Sequence, residues 1–182
     1  MLHAISTLAK RYILAKQGVA FVEFALLLPF MGLLYLGTVE VVPMISADRR
    51  VALTASTVAN VTTQYATISA STTMQDILNA SADVLAPYTS SNATVVVSLI
   101  TIDASGNATI TWSQALNGAA RPTGQGVTLP AGLNVPNTSL VWGETTYAYS
   151  PQFDLLNLGT TNLYSSVYMT PRSTSGTINL TT

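Results

Sequence analysis

From Val19 to Val42 the chain runs for 24 residues with no basic side chain and only two acidic ones, Glu23 near the start and Glu40 near the end. As a helix rising about 1.5 Å per residue, this stretch reaches about 36 Å, enough to cross a hydrocarbon core of about 30 Å. Lys10, Arg11 and Lys16 precede it, and only Arg49 and Arg50 follow closely. That bias favours a cytoplasmic N-terminus, with the residues from Val51 onward facing outward. The alternative is a secretory signal peptide. Its apolar core is usually about 7 to 15 residues long, ends at a small-x-small site and seldom includes a glutamate, and Ile45-Ser46-Ala47 fits such a site poorly.

Glu23 is the residue that needs a reason. Hydrocarbon disfavours a central carboxylate by about 3 kcal/mol, and such residues usually mark a partner or a function. It stands five positions after Gly18, the glycine that closes the basic leader. The alternative is a glutamate snorkelling to the cytoplasmic interface, within about two turns of the helix start. Farther along, Pro29 removes a helical donor and clashes with the preceding turn, so a kink is expected there. Gly32 and Gly37 are five apart and do not form the four-residue spacing of a close helix pair.

A glycine, four residues and a glutamate at the head of an apolar helix resembles the prepilin peptidase site of type IV pilins. The run Gln17-Gly18-Val19-Ala20-Phe21-Val22-Glu23-Phe24-Ala25-Leu26-Leu27-Leu28-Pro29 is similar to the opening of the TadE-like family, the pseudopilins or minor pilins of the tight-adherence (Tad, or Flp) pilus system. The resemblance covers about the first fifty residues. It implies cleavage between Gly18 and Val19 by a prepilin peptidase, and it makes Glu23 the assembly residue. It also implies partnership with other minor pilins, the major Flp pilin, the inner-membrane assembly platform and membrane lipid. The implied location is the bacterial inner membrane with an outward, periplasmic C-terminal domain, and incorporation in an extracellular pilus. The physical logic of such a cut is that it frees an α-amino group four positions before Glu23, about 6 Å away along a helix. Within one helix that pair is poor, whereas between staggered neighbouring helices each charge neutralises the other.

Composition limits the chemistry of the exported part. The only histidine is His3, in the leader, and the chain has no cysteine. Ser-His-Asp and Cys-His nucleophilic sites are therefore excluded from the mature chain, and the usual zinc, haem and iron-sulfur ligands are missing. No cofactor and no metal site is expected. The acids after residue 50 are Asp76, Asp83, Asp103, Glu144 and Asp154, with no close pair among them in sequence. An exported hydrolase would need a fold that brings two of them together, and the resemblance is to a non-enzyme. After loss of the leader, four basic side chains face eight acidic ones, the wrong bias for a nucleic-acid partner.

Periodicity sets the rest. Val51, Ala55, Val58, Val61, Tyr65 and Ile68 recur every three or four residues, the stripe of an amphipathic helix over Ser46 to Ala70 that continues the membrane helix as a stalk. Thr73 opens a second helix, with Asp76 at the capping-box position, and Pro87 closes it. The period then changes to two. Thr94 to Asp103 and Ala108 to Gln114 read as a hairpin joined through Gly106 and Asn107, and Leu140 to Tyr149 and Asn162 to Thr170 as two further strands. Gly143 reads as a bulge. Asp103, Ser105 and Asn107 loosely resemble a calcium loop without its downstream glutamate, so a turn is the expectation. Between the strand pairs, 117–138 is rich in glycine and proline and reads as a long surface loop, either a partner contact or a tolerated insertion.

Trp142, Tyr147, Tyr149, Tyr164 and Tyr168 form the candidate partner surface, with sheet packing as the alternative. The expected architecture is α+β and pilin-like: a long N-terminal transmembrane or spine helix, a short helix, and a small antiparallel sheet of about four strands. The expected segments are a leader over 1–18, a membrane and packing helix over 19–43, a stalk and accessory helix over 44–87, a sheet domain over 88–172 and a flexible tail over 173–182. A permanently anchored, outward-facing binding or adhesin domain is the competing function.

Overall fold

The computed structural model describes residues 16–154, 157 and 159–182, with side chains from Gly18 onward. The leader residues His3, Lys10 and Arg11, and the side chain of Lys16, lie outside the described residues. Helix α1, Lys16–Thr62, runs unbroken through Pro29 and Pro43. Its two halves meet different surroundings. From Gly18 to Phe30 every described side chain is exposed, and the most apolar 18-residue window has no buried residue. From Ala47 onward a stripe of Ala47, Val51, Ala55, Val58 and Ala59 is fully buried against the rest of the chain.

That stripe ends earlier than the periodicity predicts. The helix stops at Thr62, leaving Tyr65 exposed and Ile68 in a short strand, β1, Thr67–Ser69. At the stop Thr62 Oγ1 donates to Val58 O at 2.6 Å and Thr63 Oγ1 to Asn60 O at 2.7 Å, bonds of the kind that Thr38, Thr54 and Thr57 also make within the continuing helix. Helix α2, Thr73–Asp83, follows. Thr72 is its N-cap and makes no side-chain capping bond, so the expected capping box does not form; α2 is held instead by Met74, Ile77 and Leu78 in the core.

Four strands form one antiparallel sheet: β2 Ala93–Ile102, β3 Ala108–Leu116, β4 Ser139–Tyr149 and β5 Thr161–Met169, in the order β3-β2-β4-β5. The molecule is thus α+β, with a long apolar N-terminal helix, a short helix and a four-stranded antiparallel sheet. One sheet face presents Val95, Val97, Leu99 and Val141 to Val58 and Ala59 of α1 and to α2. Each such side chain, fully removed from water, contributes about 1.5 to 3 kcal/mol.

The helix comes unusually close over Gly143. A Cβ there would lie 2.5 Å from the Ala55 carbonyl oxygen, 2.9 Å from Ala59 Cβ and 3.1 Å from Val58 Cγ1. Gly143 keeps regular pairing with Val97 and Val167, so it marks a close backbone approach and not a bulge. The irregularity in the sheet falls elsewhere, between Leu99 and Ile100 where β2 pairs with β3.

Loop 117–138 covers the other face. Its Val127, Leu129 and Leu133 pack on Ile100, Ile102, Ile110, Leu140 and Trp142. Backbone bonds Ile110 N to Gln125 O and Val127 N to Ala108 O, 2.9 Å each, line part of it along the free edge of β3. The loop is mostly exposed, as its glycines and prolines predict, and only Val127, Leu129 and Leu133 turn inward, half-buried, over the outer face of the sheet. The C-terminal segment differs from the expected loose tail. Strand β6, Asn179–Thr181, pairs in parallel with β1, Ile178 is 1% exposed, and its carbonyl accepts the Trp112 indole N–H at 2.8 Å. Arg172 closes the end of α1: its backbone N–H donates to Thr63 O and its Nη2 to Asn60 Oδ1. Helix C-terminal carbonyls lack intrahelical partners and favour a positive charge nearby, which gives the tail a reason to dock that local periodicity does not contain.

Candidate functional site

Gly18, Val19 and Glu23 lie in consecutive turns near the start of α1, all exposed. Val19, Phe21, Val22 and Phe24 around them are each more than half exposed. Among the described residues no part of the sheet domain covers them, so the carboxylate sits exposed on an apolar stretch of helix. Pro29 lies two turns farther on, still among exposed Leu27, Leu28 and Phe30. This arrangement offers a single carboxylate near the helix head and an apolar rod that needs covering. A helix apolar on all sides is stable only when lipid or neighbouring protein surrounds it.

The five aromatic residues do not form one surface. Alternation along β4 sends Tyr147 and Tyr149 to the α1 side, where they pack with Ala47, Val51, Leu85 and Leu163 and are 6% exposed. Tyr88 meets both edge-on, at ring separations of 6.1 and 6.5 Å. Trp142, Tyr164 and Tyr168 lie on the opposite face. There Trp142 stacks on its cross-strand neighbour Tyr168, with centroids 5.4 Å apart and 15° between planes. Tyr164 alone is more than half exposed.

Sequence reasoning missed the residue that organises this outer face. Arg121, from the long loop, places its guanidinium 4.1 Å from the Trp142 ring centre and makes a two-pronged ion pair with the buried Glu144, Nε to Oε2 and Nη2 to Oε1, both 2.6 Å. Tyr164 donates its hydroxyl to the same Glu144 at 2.8 Å. The Glu144 carboxylate holds the Arg121 guanidinium above its usual range, while burial pushes the Tyr164 and Tyr168 hydroxyls up. A lone arginine in a loop otherwise without charge, 23 residues before a lone glutamate in a strand, is the signal that pairing of opposites would have found.

Two further acids, Asp103 and Asp154, bond their own turns. Asp103 Oδ1 accepts the N–H groups of Ser105 and Asn107, and Oδ2 accepts the Asn107 side-chain amide. Those bonds hold its carboxyl below the usual range and tie the hairpin turn, as its turn chemistry predicts. Asp154 Oδ1 accepts from Gly159 N. Among the described residues no three acids or histidines gather as a metal would require.

Residues 18–60 match the family model described as TadE-like protein, the family that the Gly18 to Pro29 run resembles. The match falls on α1 and spans less than a quarter of the 182 residues. Comparison with curated proteins and with solved structures gives no match.

Proposed function

We propose that this chain is a minor pilin or pseudopilin of a Tad (Flp) pilus, held in the bacterial inner membrane with its sheet domain on the periplasmic side and processed by a prepilin peptidase between Gly18 and Val19. The observation that carries the reading is the division of α1: Gly18 to Phe30 is apolar, exposed and interrupted by one carboxylate, while Ala47 to Ala59 is buried in the chain's own core. The TadE-like match lies over the same helix. In this reading the freed amine of Val19 on one subunit neutralises Glu23 on a staggered neighbour, which sets the register of the packed helices. Pro29, with no N–H to donate, gives the rod a point of bending. Other minor pilins, the major Flp pilin and the assembly platform are the partners, and initiation or insertion into the pilus, with a consequence for surface adhesion or biofilm formation, is the role.

Intact mass tests the first step. Co-expression with a prepilin peptidase should remove residues 1 to 18, and a bulky substitution at Gly18 should block that loss. Glu23→Ala should still be processed but fail to join pilus components in a pull-down. An unchanged mass together with normal behaviour of Glu23→Ala favours a permanently anchored, outward-facing binding domain.

A further inference from the structure

On the outer face of the sheet, a cavity of about 310 Å³ opens between the strands and the first part of the long loop. Thr94 and Val96 of β2 and Glu144 and Thr146 of β4 form its floor, Arg121 and Gln125 come from the loop, and Tyr164 comes from β5. These walls are tied down. Thr94 Oγ1 donates to Asn117 O at 3.0 Å, the Arg121 backbone N–H donates to Ser113 Oγ at 3.1 Å, and Gln125 O accepts the Ile110 N–H at 2.9 Å. Gly118 lets the root of the loop lie on the strand, because a Cβ there would collide with the Thr94 side chain. The site therefore stands built before a ligand arrives, which lowers the ordering cost of binding.

Charge on the walls is balanced. Arg121 spends Nε and one Nη2 donor on Glu144. Glu144 also accepts the Tyr164 hydroxyl and is 5% exposed, so no ligand contact is asked of it. The guanidinium has five N–H donors, and its remaining ones belong to a side chain 34% exposed. Beside it the side chains of Gln125, exposed, and Thr146, half-buried, make no hydrogen bond among the described residues. Tyr164 is 53% exposed with its hydroxyl fixed on Glu144, which leaves its ring as a held, flat apolar surface at the same cavity.

These features select a class of occupant. The guanidinium opposes a metal ion, and the Glu144 carboxylate already takes the place that an anion would seek on Arg121. An extended peptide gains little at this floor, because β2 and β4 are each paired on both sides and offer no strand edge to join. A neutral ring that is apolar on one face and hydroxylated at its edge matches an exposed tyrosine surrounded by unspent donors and acceptors. The volume is at the small end of ligand pockets and suits the end of a chain. We infer that this cavity binds a neutral pyranose sugar at the end of a glycan, its C–H face on Tyr164 and its hydroxyls on Arg121, Gln125 and Thr146. Its use in surface adhesion rests on the outward-facing reading above, whereas the choice of a sugar rests on the cavity alone.

The test uses the full chain in lauryldimethylamine oxide, a detergent without a sugar headgroup, and saturation-transfer NMR with the methyl pyranosides of glucose, galactose and mannose. At least one should take saturation on the C–H protons of a single ring face. Tyr164→Ala should weaken that binding about tenfold, the scale of one lost ring contact, and Gln125→Ala about fivefold, the scale of one hydrogen bond. Tyr164→Phe loses the same bond to Glu144 as Tyr164→Ala but keeps the ring, so it should bind within about twofold of wild type. No transfer to any of the three pyranosides overturns the site, as does equal binding by Tyr164→Ala and wild type. Glucuronate bound where methyl glucoside is not overturns the neutral ligand, and trialanine amide bound where the pyranosides are not replaces the sugar with a peptide. Loss of residues 1 to 18 to a prepilin peptidase with no pyranoside bound strikes the sugar site and leaves the pilin reading standing. An unprocessed chain that binds a pyranoside through Tyr164 does the reverse.

Discussion

The two halves of α1 share one backbone helix but solve the burial problem in opposite ways. Its C-terminal half places small residues, Ala47, Ala55 and Ala59, on one face so that the sheet can approach closely, with Gly143 completing the contact. Its N-terminal half carries large side chains all round, Phe21, Phe24, Leu26, Leu27, Phe30 and Leu34, each at least 58% exposed. Small residues in a stripe suit a partner inside the chain, fixed and close. Large residues on every side suit an environment that surrounds the helix. The difference teaches that this helix is two devices in series, and that the stability of one half should be separable from the function of the other.

Gly143→Val attacks the first device and should have the largest effect. The added side chain must displace the Ala55 carbonyl and the Ala59 methyl, and overpacking of this kind costs about 3 kcal/mol. Urea unfolding of the full chain in detergent reads the change, and a midpoint equal to wild type would refute the close-approach account. Arg121→Ala should come next. It strips the partner from the buried Glu144 and the cation from Trp142, at a cost of about 2 to 3 kcal/mol, kept at the low end because water reaches the Arg121 side chain. The same unfolding measurement applies, and Arg121→Lys should recover only part of the loss because it cannot form the two-pronged pair.

Trp112→Phe removes the indole bond to Ile178 O and should cost about 1 kcal/mol. Faster amide exchange should then appear in β6 and at Arg172 before any other element loosens. Alkaline pH gives a smaller, graded effect. Burial raises Tyr147 and Tyr149 above 10.0 in the folded state, so folding favours the neutral phenols. That contribution is complete below pH 10, where unfolded tyrosine is also neutral, and it is lost as pH rises from there through the folded values. The urea midpoint should therefore be level to about pH 9 and fall above pH 10. Smallest of all, Leu27→Ser in the exposed half should leave the unfolding midpoint of the sheet domain within about 0.5 kcal/mol of wild type while weakening retention in vesicles. If it destabilised the sheet domain as much as Gly143→Val does, the two halves would not be separate devices.

Local pattern carried much of this. The apolar run from Val19, the four strands and the Asp103 to Asn107 turn are legible because each depends on neighbours within a few residues, through hydropathy, alternation or a side chain bonding its own turn. The proposed site at Gly18 and Glu23 rests on the same kind of local signal, a glycine-to-glutamate spacing at the head of an apolar run. Reading the five aromatics as one surface failed because a one-residue step along β4 separates Trp142 from Gly143 and so sends the indole and Tyr147 to opposite faces.

By itself, then, the order of residues determined that a long apolar helix leads an antiparallel sheet, and it marked one charge near the helix head. Only the tertiary structure decided that loop 117–138 lays Val127, Leu129 and Leu133 on the outer sheet face, that the C-terminal segment docks through Ile178 and Arg172, and that Arg121 meets Glu144. The last two of those outcomes join residues 23 to 112 positions apart, and their energies come from desolvation and pairing that exist only after the distant partners have been brought together.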